Sequence, residues 1–450
     1  MGVTAELCDK IVATTYDSLT PEAIGAARRL VLDGIAIAIA GTEEEAIQIL
    51  AAHYESFGAR GDSTVIGFPF RTAPTLAAAL NGASMHVLDF EPMWTPSNHA
   101  LSTTLPAILA LAEIRDIDGK DLIAALVKGI ELQGWIRHAG RVYEQGGVKF
   151  HPPGLVGPMG SAVAAGHVLG LNAEQMAHAL GIASSRCGTM HANIGTMTKS
   201  THCGHAAMHG LESALLATKG FTANPEPFEA FNGYARQMFG DTFEARDLLN
   251  YGAPFRIVQP GYAMKMFPSQ FGTHFAITAG LNLHSQISDP SAIRSVMLNT
   301  PVMQYVNRPN PDTGLAGKFS LQYTFASGLL RGGVKIDTFT DEMVALPDMQ
   351  ALLGKITMNM SPDIPARFDK MWIEATVTMN DGGVLHSRCD GPPGIWGSPP
   401  IGEDDHLGKI RDCLSRRLPL DRAERVIALA RRAETLSVAE VRALLKESVP

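Results

Sequence analysis

The chain is poor in charged residues and in cysteine. Charged residues make up 18% of its 450 residues, and only five residues are cysteines. The cysteines are odd in number, scattered and never arranged as CxxC, which argues against a disulfide framework and favours a reducing compartment. They are Cys8, Cys187, Cys203, Cys389 and Cys413.

A long apolar run is also missing. The most apolar segment, Leu30 to Gly41, is too short to cross a bilayer and contains Asp33. The N-terminal segment MGVTAELCDKIVATTYDSL has acidic residues and no basic region followed by an apolar core, so it is not typical of a signal peptide. We therefore expect a cytoplasmic protein without a membrane partner.

Positive charge is scarcer than negative charge. The chain has 37 Lys and Arg against 45 Asp and Glu, a net charge of −8. This balance argues against nucleic-acid binding, which requires a basic surface. The sequence also has no phosphate-binding loop, dinucleotide fingerprint or GxSxG elbow. If the ligand of such a protein is itself acidic, it needs a local basic pocket built from Lys, Arg and His.

Small and apolar residues in helical patterns dominate the first 240 residues, and small residues three or four apart allow helices to approach closely. After about Lys265, alternating and β-branched segments indicate an antiparallel sheet, with a DGG hairpin turn at 381–383. Charged, Leu-rich helices return from about Glu403.

These patterns predict a mostly α protein with an inserted α+β domain. A large multi-helix domain comprises residues 1–264 and 403–450, and a smaller lid domain with the antiparallel sheet comprises residues 265–402. Two domains also agree with the chain length, because a single core rarely extends over so many residues.

The stretch TMTKSTHCGHAAMHG, from Thr196 to Gly210, holds one lysine, three histidines and a cysteine. We expect Ser200 to cap a helix that starts near Thr201. Lys199 would then precede the cap at the positive helix end, where it is either a carboxylate ligand or a solvated surface lysine. The three histidines allow two interpretations, helix packing or a shared metal ion, although no acidic residue or known zinc spacing accompanies them. They are His202, His205 and His209.

Two further stretches offer acid–base groups at predicted element boundaries, where functional side chains are often presented. HVLDFEPMWTPSNHA brings Asp89 and Glu91 near His99, and a carboxylate can fix the tautomer of a histidine and raise its pKa. In KFHPPG, two prolines fix the backbone after His151. The alternatives are a loop with exposed acids and a turn histidine.

Two more stretches lie in the predicted lid domain. Lys265 in MKMFPSQFGTH has apolar neighbours, so its amine would seek an anionic partner or lose its proton. In QYVNRPNPD, Tyr305 ends a predicted strand beside Asn307 and Arg308, and its hydroxyl could donate to a developing oxyanion. A core tyrosine is the alternative.

Taken together, three motifs resemble the MmgE/PrpD family along nearly the whole chain. They are FHPPGLVGPMGSAVAA, TMTKSTHCGHAAMHG and MQYVNRP, and in this form they look most like its cis-aconitate decarboxylase branch. The family also contains 2-methylcitrate dehydratases and an iminodisuccinate epimerase. The resemblance implies a large helical domain, an α+β lid, a homodimer, and an active site between the domains that works without a metal or organic cofactor.

The resemblance also implies roles for particular residues. The family pattern DFDDTWHPATHP corresponds to DFEPMWTPSNHA, in which Asp89 and His99 are retained. This chain departs from the pattern at Glu91, Pro92, Met93 and Thr95, which changes the groups at the pocket edge. The implied catalytic residues are His99, His151, Asp89 and Tyr305, and the candidate substrate-binding residues are Lys199, Lys265, His202 and Arg308.

We therefore predict a cofactor-independent lyase that acts on a small di- or tricarboxylate. In the first hypothesis, loss of CO₂ leaves an allylic carbanion that a protonated His99 or His151 protonates, while Lys199 and Lys265 hold the remaining carboxylates. Dehydration of a methylcitrate-like acid and epimerisation of an iminodisuccinate-like acid are alternatives. A non-catalytic carboxylate-binding protein is a hypothesis of another class.

Overall fold

The computed structural model describes residues 2–144 and 149–450. Its N-terminal part is a mass of helices, as the small-residue patterns predict. None of the helices in these two ranges is long and apolar enough to span a membrane. The first ten helices are α1 (Val3–Ala13), α2 (Pro21–Gly41), α3 (Glu45–Glu55), α4 (Pro74–Val87), α5 (Leu101–Leu111), α6 (Gly119–Ala139), α7 (Pro152–Val168), α8 (Ala173–Ser184), α9 (Thr198–Thr218) and α10 (Tyr234–Phe239).

Local signals fix several of these helix ends. The Thr20 side chain accepts a hydrogen bond from the Ala23 N–H at 3.2 Å, and Pro21 occupies the first turn of α2, where its missing N–H costs nothing. In the sequence alone, Pro21 at a plausible first helical position and Gly41 as a stop predict a helix over this span, and the structure confirms both ends. Two short β-ladders, β1 (Ser63–Thr64) with β2 (Arg71–Thr72) and β3 (Met93–Trp94) with β4 (Tyr262–Ala263), connect the loops between helices.

The smaller part of the fold contains a four-stranded sheet. Its strands are β5 (Ile293–Pro301), β6 (Ile356–Ser361), β7 (Ile373–Met379) and β8 (Val384–Cys389), in the order β6-β5-β7-β8. The predicted hairpin at 381–383 is confirmed, and β7 is antiparallel to both β5 and β8.

The pair β5–β6 is parallel, although a wholly antiparallel sheet was expected. A parallel pair needs a long crossover instead of a hairpin, and helices fill this crossover. The helices of this region are α11 (Thr273–His284), α12 (Gly314–Gly317), α13 (Leu321–Arg331), α14 (Asp341–Ala345) and α15 (Pro347–Leu353).

The last three helices return to the helical mass. They are α16 (Glu403–Leu414), α17 (Leu420–Ala430) and α18 (Val438–Glu447), and their buried residues share one apolar core with α2, α5 and α6. The sheet and its helices have a separate core. The predicted fold class, mostly α with a smaller sheet-containing unit, is confirmed, whereas the domain boundaries remain a prediction.

Close helix packing brings the elements of the site together. A Cβ added to Gly204 of α9 would overlap the carbonyl oxygen of Ala79 in α4. From the other side, a Cβ on Gly82 would lie 2.9 Å from the Gly204 Cα. The two helices can therefore touch only through backbone atoms at this crossing, which places the first turn of α9 beside the end of α4.

The substitution Gly204→Ala is expected to lower the free energy of unfolding by about 1–3 kcal/mol, because backbone atoms cannot yield as a side chain can. The matched control is Gly25→Ala in α2, where an added Cβ meets nothing within 4 Å. There the change should be neutral or stabilise by about 0.5–1 kcal/mol. Urea unfolding measures both, and equal stability of the two variants would contradict the packing account.

Candidate active site

Several of the predicted site residues border one pocket. The pocket encloses about 450 Å³ of space, a volume that includes solvent at its mouth. It also has apolar walls, among them Met93, Phe271, Phe319 and Phe368. The predicted residues on its surface are Asp89, His99, His151, Lys199 and Tyr305.

The segment between α4 and α5 carries the central acid, Asp89. The chain turns sharply after α4, where the Asp89 N–H donates to the His86 carbonyl at 2.8 Å and Asp89 has a φ of 50°. A positive φ is uncommon outside glycine, and aspartate is among the residues that adopt it most readily. The β3–β4 ladder then holds this segment beside Lys265, which follows β4.

The Asp89 carboxylate lies between two ammonium groups. Lys199 Nζ donates to one oxygen at 2.7 Å, and Lys265 Nζ donates to the other. Lys265 also donates to the carbonyls of Asp89 and Ser269, at 2.8 and 3.1 Å. Since an ammonium has three N–H groups, protein acceptors engage all those of Lys265. Lys265 is fully buried, whereas Lys199 borders the pocket.

Asp89, Lys199 and Lys265 together carry an excess of positive charge. Burial alone would raise the pKa of Asp89, but Lys199 and Lys265 together lower that pKa well below its usual range. Burial lowers the pKa of Lys265 to about 8 against the attraction of Asp89. At neutral pH one carboxylate therefore faces two ammonium groups, which favours an anion in the pocket.

Helix α9 begins at Thr198, so Lys199 lies in its first turn. The prediction that Ser200 caps the helix and that Lys199 precedes the cap is wrong. The Ser200 hydroxyl donates to the Met197 carbonyl at 2.9 Å, a back-bond that satisfies a serine inside a first turn.

A cluster of His86, Glu91 and His99 lies next to Asp89. Lys199 Nζ lies 2.8 Å from His86 Nε2, and His86 Nδ1 lies 2.6 Å from Glu91 Oε1. Because an ammonium only donates, His86 accepts at Nε2 and donates from Nδ1 to Glu91. His99 Nδ1 has no hydrogen-bond partner and lies 3.5 Å from the same Glu91 oxygen.

Burial determines the protonation of this cluster. Burial and then Lys199 lower the pKa of His86 well below its usual range, and burial and then Lys265 do the same to the pKa of His99. Burial raises the pKa of Glu91 to about 8, against the hydrogen bonds from Ser102. Near neutral pH the two imidazoles are therefore neutral and Glu91 carries a proton.

His151 immediately precedes α7 and meets His202 of α9, with 3.1 Å between their Nδ1 atoms. One of these nitrogens must donate and the other accept, so the two tautomers are coupled. Burial and then Lys199 lower the pKa of His151 well below its usual range, and burial lowers the pKa of His202 to about 4. His202 touches His151 from behind and does not border the pocket.

Tyr305 lies in a 3₁₀ turn, Gln304–Val306, and the prediction that it ends a strand is wrong. Strand β5 stops at Pro301, which has no N–H to continue a ladder. The Tyr305 hydroxyl accepts a hydrogen bond from Gln270 Nε2 at 2.9 Å, and burial raises the pKa of Tyr305. Arg308 donates to the carbonyls of Tyr305 and Ile194 and does not border the pocket.

The contacts of the α9 histidines agree with the packing interpretation. His205 Nε2 lies 3.4 Å from the Tyr54 hydroxyl, and the ring centroids of His205 and His209 are 6.1 Å apart.

Within residues 2–144 and 149–450, the group that could hold a metal ion is His86, Glu91 and Cys203. Burial raises the pKa of the Cys203 thiol well above its usual range, and the Lys199 ammonium lies beside His86. Both features disfavour a cation there.

Helix α16 supports the site from behind through Lys409. Its ammonium donates to the carbonyls of Phe90 and Lys265, at 3.0 Å each, and pairs with Asp33 of α2 at 2.9 Å. The backbone next to Asp89 and the backbone of Lys265 are thus held by one buried cation, which connects the C-terminal helices to the pocket.

Sequence reasoning missed His86 and Gln270 as members of the site. His86 is one helical turn before Asp89, a spacing that becomes informative only once α4 is known to end at Val87. Gln270 lies in a stretch that was singled out for Lys265, but only the fold brings it to Tyr305.

Two family models match the chain. The MmgE/PrpD N-terminal domain matches residues 5–246, and the MmgE/PrpD C-terminal domain matches residues 267–435. This protein belongs to the MmgE/PrpD family. The resemblance found in the sequence motifs is therefore confirmed.

Named relatives support the same assignment. Cis-aconitate decarboxylase of Mus musculus is 32% identical over 97% of this chain and 91% of its own length. That of Homo sapiens is also 32% identical, over 97% of this chain and 92% of its own length. A 2-methylcitrate dehydratase of Cupriavidus necator is 26% identical over 81% of this chain and 80% of its own. The prediction of a lyase of this family is confirmed.

Replacing Asp89 by Asn leaves two buried ammonium groups without their carboxylate, so we expect a loss of about 3–5 kcal/mol in unfolding free energy near neutral pH. Because the pKa of Asp89 is lowered in the folded state, this stability is present above its unfolded pKa of about 3.9. It is lost as the pH falls through the folded pKa. Denaturant unfolding at several pH values measures the effect.

The control for this experiment is Asp312→Asn, at an exposed position. A D89N variant as stable as D312N near neutral pH would show that the buried ion pairs contribute nothing. The same conclusion would follow if the difference in unfolding free energy between D89N and D312N did not become smaller at acidic pH.

Proposed function

We propose that this protein decarboxylates a small tricarboxylate such as cis-aconitate, without help from a metal or organic cofactor. The observation that carries the proposal is the position of Lys199. Its ammonium borders the pocket beside His99 and His151, and Asp89 neutralises only one of the two lysines. An anionic substrate and proton donors are thereby brought to the same space.

The reaction needs a cation, a proton donor and a way to spread charge. The bond to the departing carboxylate breaks, CO₂ leaves, and the electron pair stays on carbon as an allylic carbanion. One proton is then added to carbon, so each turnover consumes one proton. Well-placed acid–base groups contribute on the order of 10²–10⁴ in rate to such a step.

Each side chain has a role that follows from its contacts. Lys199 binds a substrate carboxylate, and His99 or His151 delivers the proton to carbon. The Tyr305 hydroxyl, which accepts from Gln270 and stays protonated, donates to the developing charge.

The residues outside the pocket act indirectly. Lys265 positions Asp89, His202 orients His151, and Arg308 braces the turn that carries Tyr305. Direct binding of the substrate by Lys265, His202 and Arg308 remains a prediction. In each case the contacts favour support of a neighbouring residue.

Met93 changes the chemistry of the pocket wall. A hydro-lyase must bind and protonate a leaving hydroxyl group, whereas decarboxylation releases apolar CO₂. Met93 borders the pocket where the family pattern has a threonine, so it removes a hydroxyl from the wall. Dehydration of a 2-methylcitrate-like acid is the second candidate, because one group of relatives carries that name.

The remaining expectations extend the proposal to the whole molecule. We propose a homodimer in the cytoplasm, with a lid domain bounded near residues 265 and 402. If the following experiment fails, the alternative hypotheses are an epimerase and a non-catalytic carboxylate-binding protein.

Incubation of the protein with cis-aconitate in deuterated buffer should yield CO₂ and itaconate with one deuterium per molecule, because the added proton exchanges with solvent. Proton and carbon NMR identify the products. Parallel incubations use 2-methylcitrate and iminodisuccinate. A new alkene without CO₂ would mean dehydration, deuterium exchange alone would mean epimerisation, and no turnover of any acid would refute the proposal of an enzyme with this substrate class.

The variant Lys199→Ala should lose activity by at least about 10²-fold, since it removes the cation at the pocket surface. The control is Lys219→Ala, at the exposed C-terminal end of the same helix. Turnover and circular dichroism are measured for both. If K199A matched K219A in activity, Lys199 would not bind the substrate.

A further inference from the structure

Glu91 is a buried acid that the proposed reaction does not yet use. It has no exposed surface and does not border the pocket. It lies between two imidazoles: Oε1 is 2.6 Å from His86 Nδ1 and 3.5 Å from His99 Nδ1. The second nitrogen of His99, Nε2, is the one on the Asp89 side, 3.7 Å from Oδ1. His99 thus separates Glu91 from the reacting space.

The His99 ring poses a chemical problem that Glu91 can solve. Burial and the neighbouring lysine keep this imidazole neutral in the free site. A neutral imidazole that gives its Nε2 proton to carbon becomes an imidazolate unless Nδ1 receives a proton at the same time. Nδ1 is buried and has no hydrogen-bond partner, and the nearest carboxyl oxygen belongs to Glu91.

We propose that Glu91 is a positioning residue that supplies a proton to His99 Nδ1 while His99 Nε2 protonates the carbanion. This inference rests on the proposed decarboxylation. The O–H bond of Glu91 and the Nε2–H bond of His99 break, and a C–H bond and an Nδ1–H bond form. The step leaves His99 neutral as its other tautomer and Glu91 as a carboxylate, so charge and protons balance.

The groups around Glu91 provide a route by which it can regain its proton. His86 donates to Glu91, and Lys199 donates to His86 at 2.8 Å, so Lys199, His86 and Glu91 form one line of hydrogen bonds. Lys199 borders the active-site pocket and also a second cavity of about 830 Å³, a volume that includes solvent at its mouth. Protons can enter from that side while the substrate fills the first pocket.

The titration of Glu91 depends on everything that faces it. Burial raises its pKa to about 8, and Ser102 and the two lysines lower it in part. Glu91 is therefore protonated below that pH and loses its proton above it. The titratable or charged groups that face it are His86 of α4, Asp89 and His99 of the loop, Lys199 and Cys203 of α9, and Lys265 after β4.

A purely structural role for Glu91 predicts a different result. Glu91 accepts from the Ser102 N–H at 2.9 Å and from its hydroxyl at 2.6 Å, so it also ties down the first turn of α5. If this were its whole purpose, replacing it would change stability but not the pH dependence of turnover. Glu91→Gln keeps the size and can still accept from Ser102, but its amide cannot pass on a proton.

The experiment compares Glu91→Gln and Glu91→Asp with the wild-type enzyme. E91Q should lower kcat by about 10²-fold or more and leave KM within roughly twofold, because ground-state binding is unchanged. In the wild type, kcat should fall as the pH rises through about 8. That basic limb should weaken in E91Q, where Lys265 with its pKa of about 8 still contributes to it, and persist unchanged in E91D, which retains a carboxyl and most of the activity.

Glu131→Gln is the matched control. Glu131 is also a buried glutamate, and burial raises its pKa to about 7, but its partners are the side chain of Trp135 and the backbone of Gly252 and Arg256. The E131Q variant should be less stable than the wild type and should keep the wild-type pH dependence of kcat. Near-wild-type kcat in E91Q, or a basic limb unchanged from the wild type, would overturn the proposal.

One readout does not depend on activity. The infrared difference between wild type and E91Q should contain the C=O stretch of a protonated carboxyl group near neutral pH, and that band should disappear as the pH rises through about 8. Absence of the band would refute the relay even in an active enzyme. If the band is present but no acid is decarboxylated, the proposed function fails and the protonated state of Glu91 stands.

Discussion

The site depends on one interaction, the buried carboxylate of Asp89 held between two lysine ammonium groups. Three buried charges are stable only if each has a partner, because an unpaired buried charge costs several kcal/mol. The Asp89 carboxylate pairs with both lysines, and the carbonyls of Asp89 and Ser269 complete the hydrogen bonds of Lys265. The remaining positive charge is what an anionic ligand would meet, so the same interaction stabilises the fold and prepares the pocket.

Much of the architecture serves to bring these three residues together. The backbone contact between α4 and α9 sets Lys199 beside the turn after α4, and the β3–β4 ladder sets Lys265 beside the same turn. From the C-terminal helix α16, Lys409 then donates to the carbonyl of Phe90, next to Asp89, and to the carbonyl of Lys265. Elements from the start, middle and end of the chain thus converge on one carboxylate.

The sequence predicted individual helices and site residues better than the contacts between them. Helix α2 was predicted to the residue, because a proline at its start and a glycine at its end act locally. Asp89, His99, His151, Lys199 and Tyr305 were selected from separate motifs, and all five border one pocket. The start of α9, the end of β5 and the parallel β5–β6 pair were not predicted, since they depend on packing between distant segments. The pairings of Glu91 with two imidazoles likewise exist only in the folded chain.

Burial also changes what the imidazoles can do. The sequence suggested histidines charged by a neighbouring acid, whereas burial and lysines keep them neutral, and the proton rests on Glu91. The central claim is that Lys199 retains free charge for an anion while Asp89 stays between the lysines. A crystal structure with the unreactive acid tricarballylate tests it most directly. The account predicts a ligand carboxylate within hydrogen-bond distance of Lys199 Nζ and an intact Asp89–Lys265 pair, and a ligand bound away from Lys199 would contradict it.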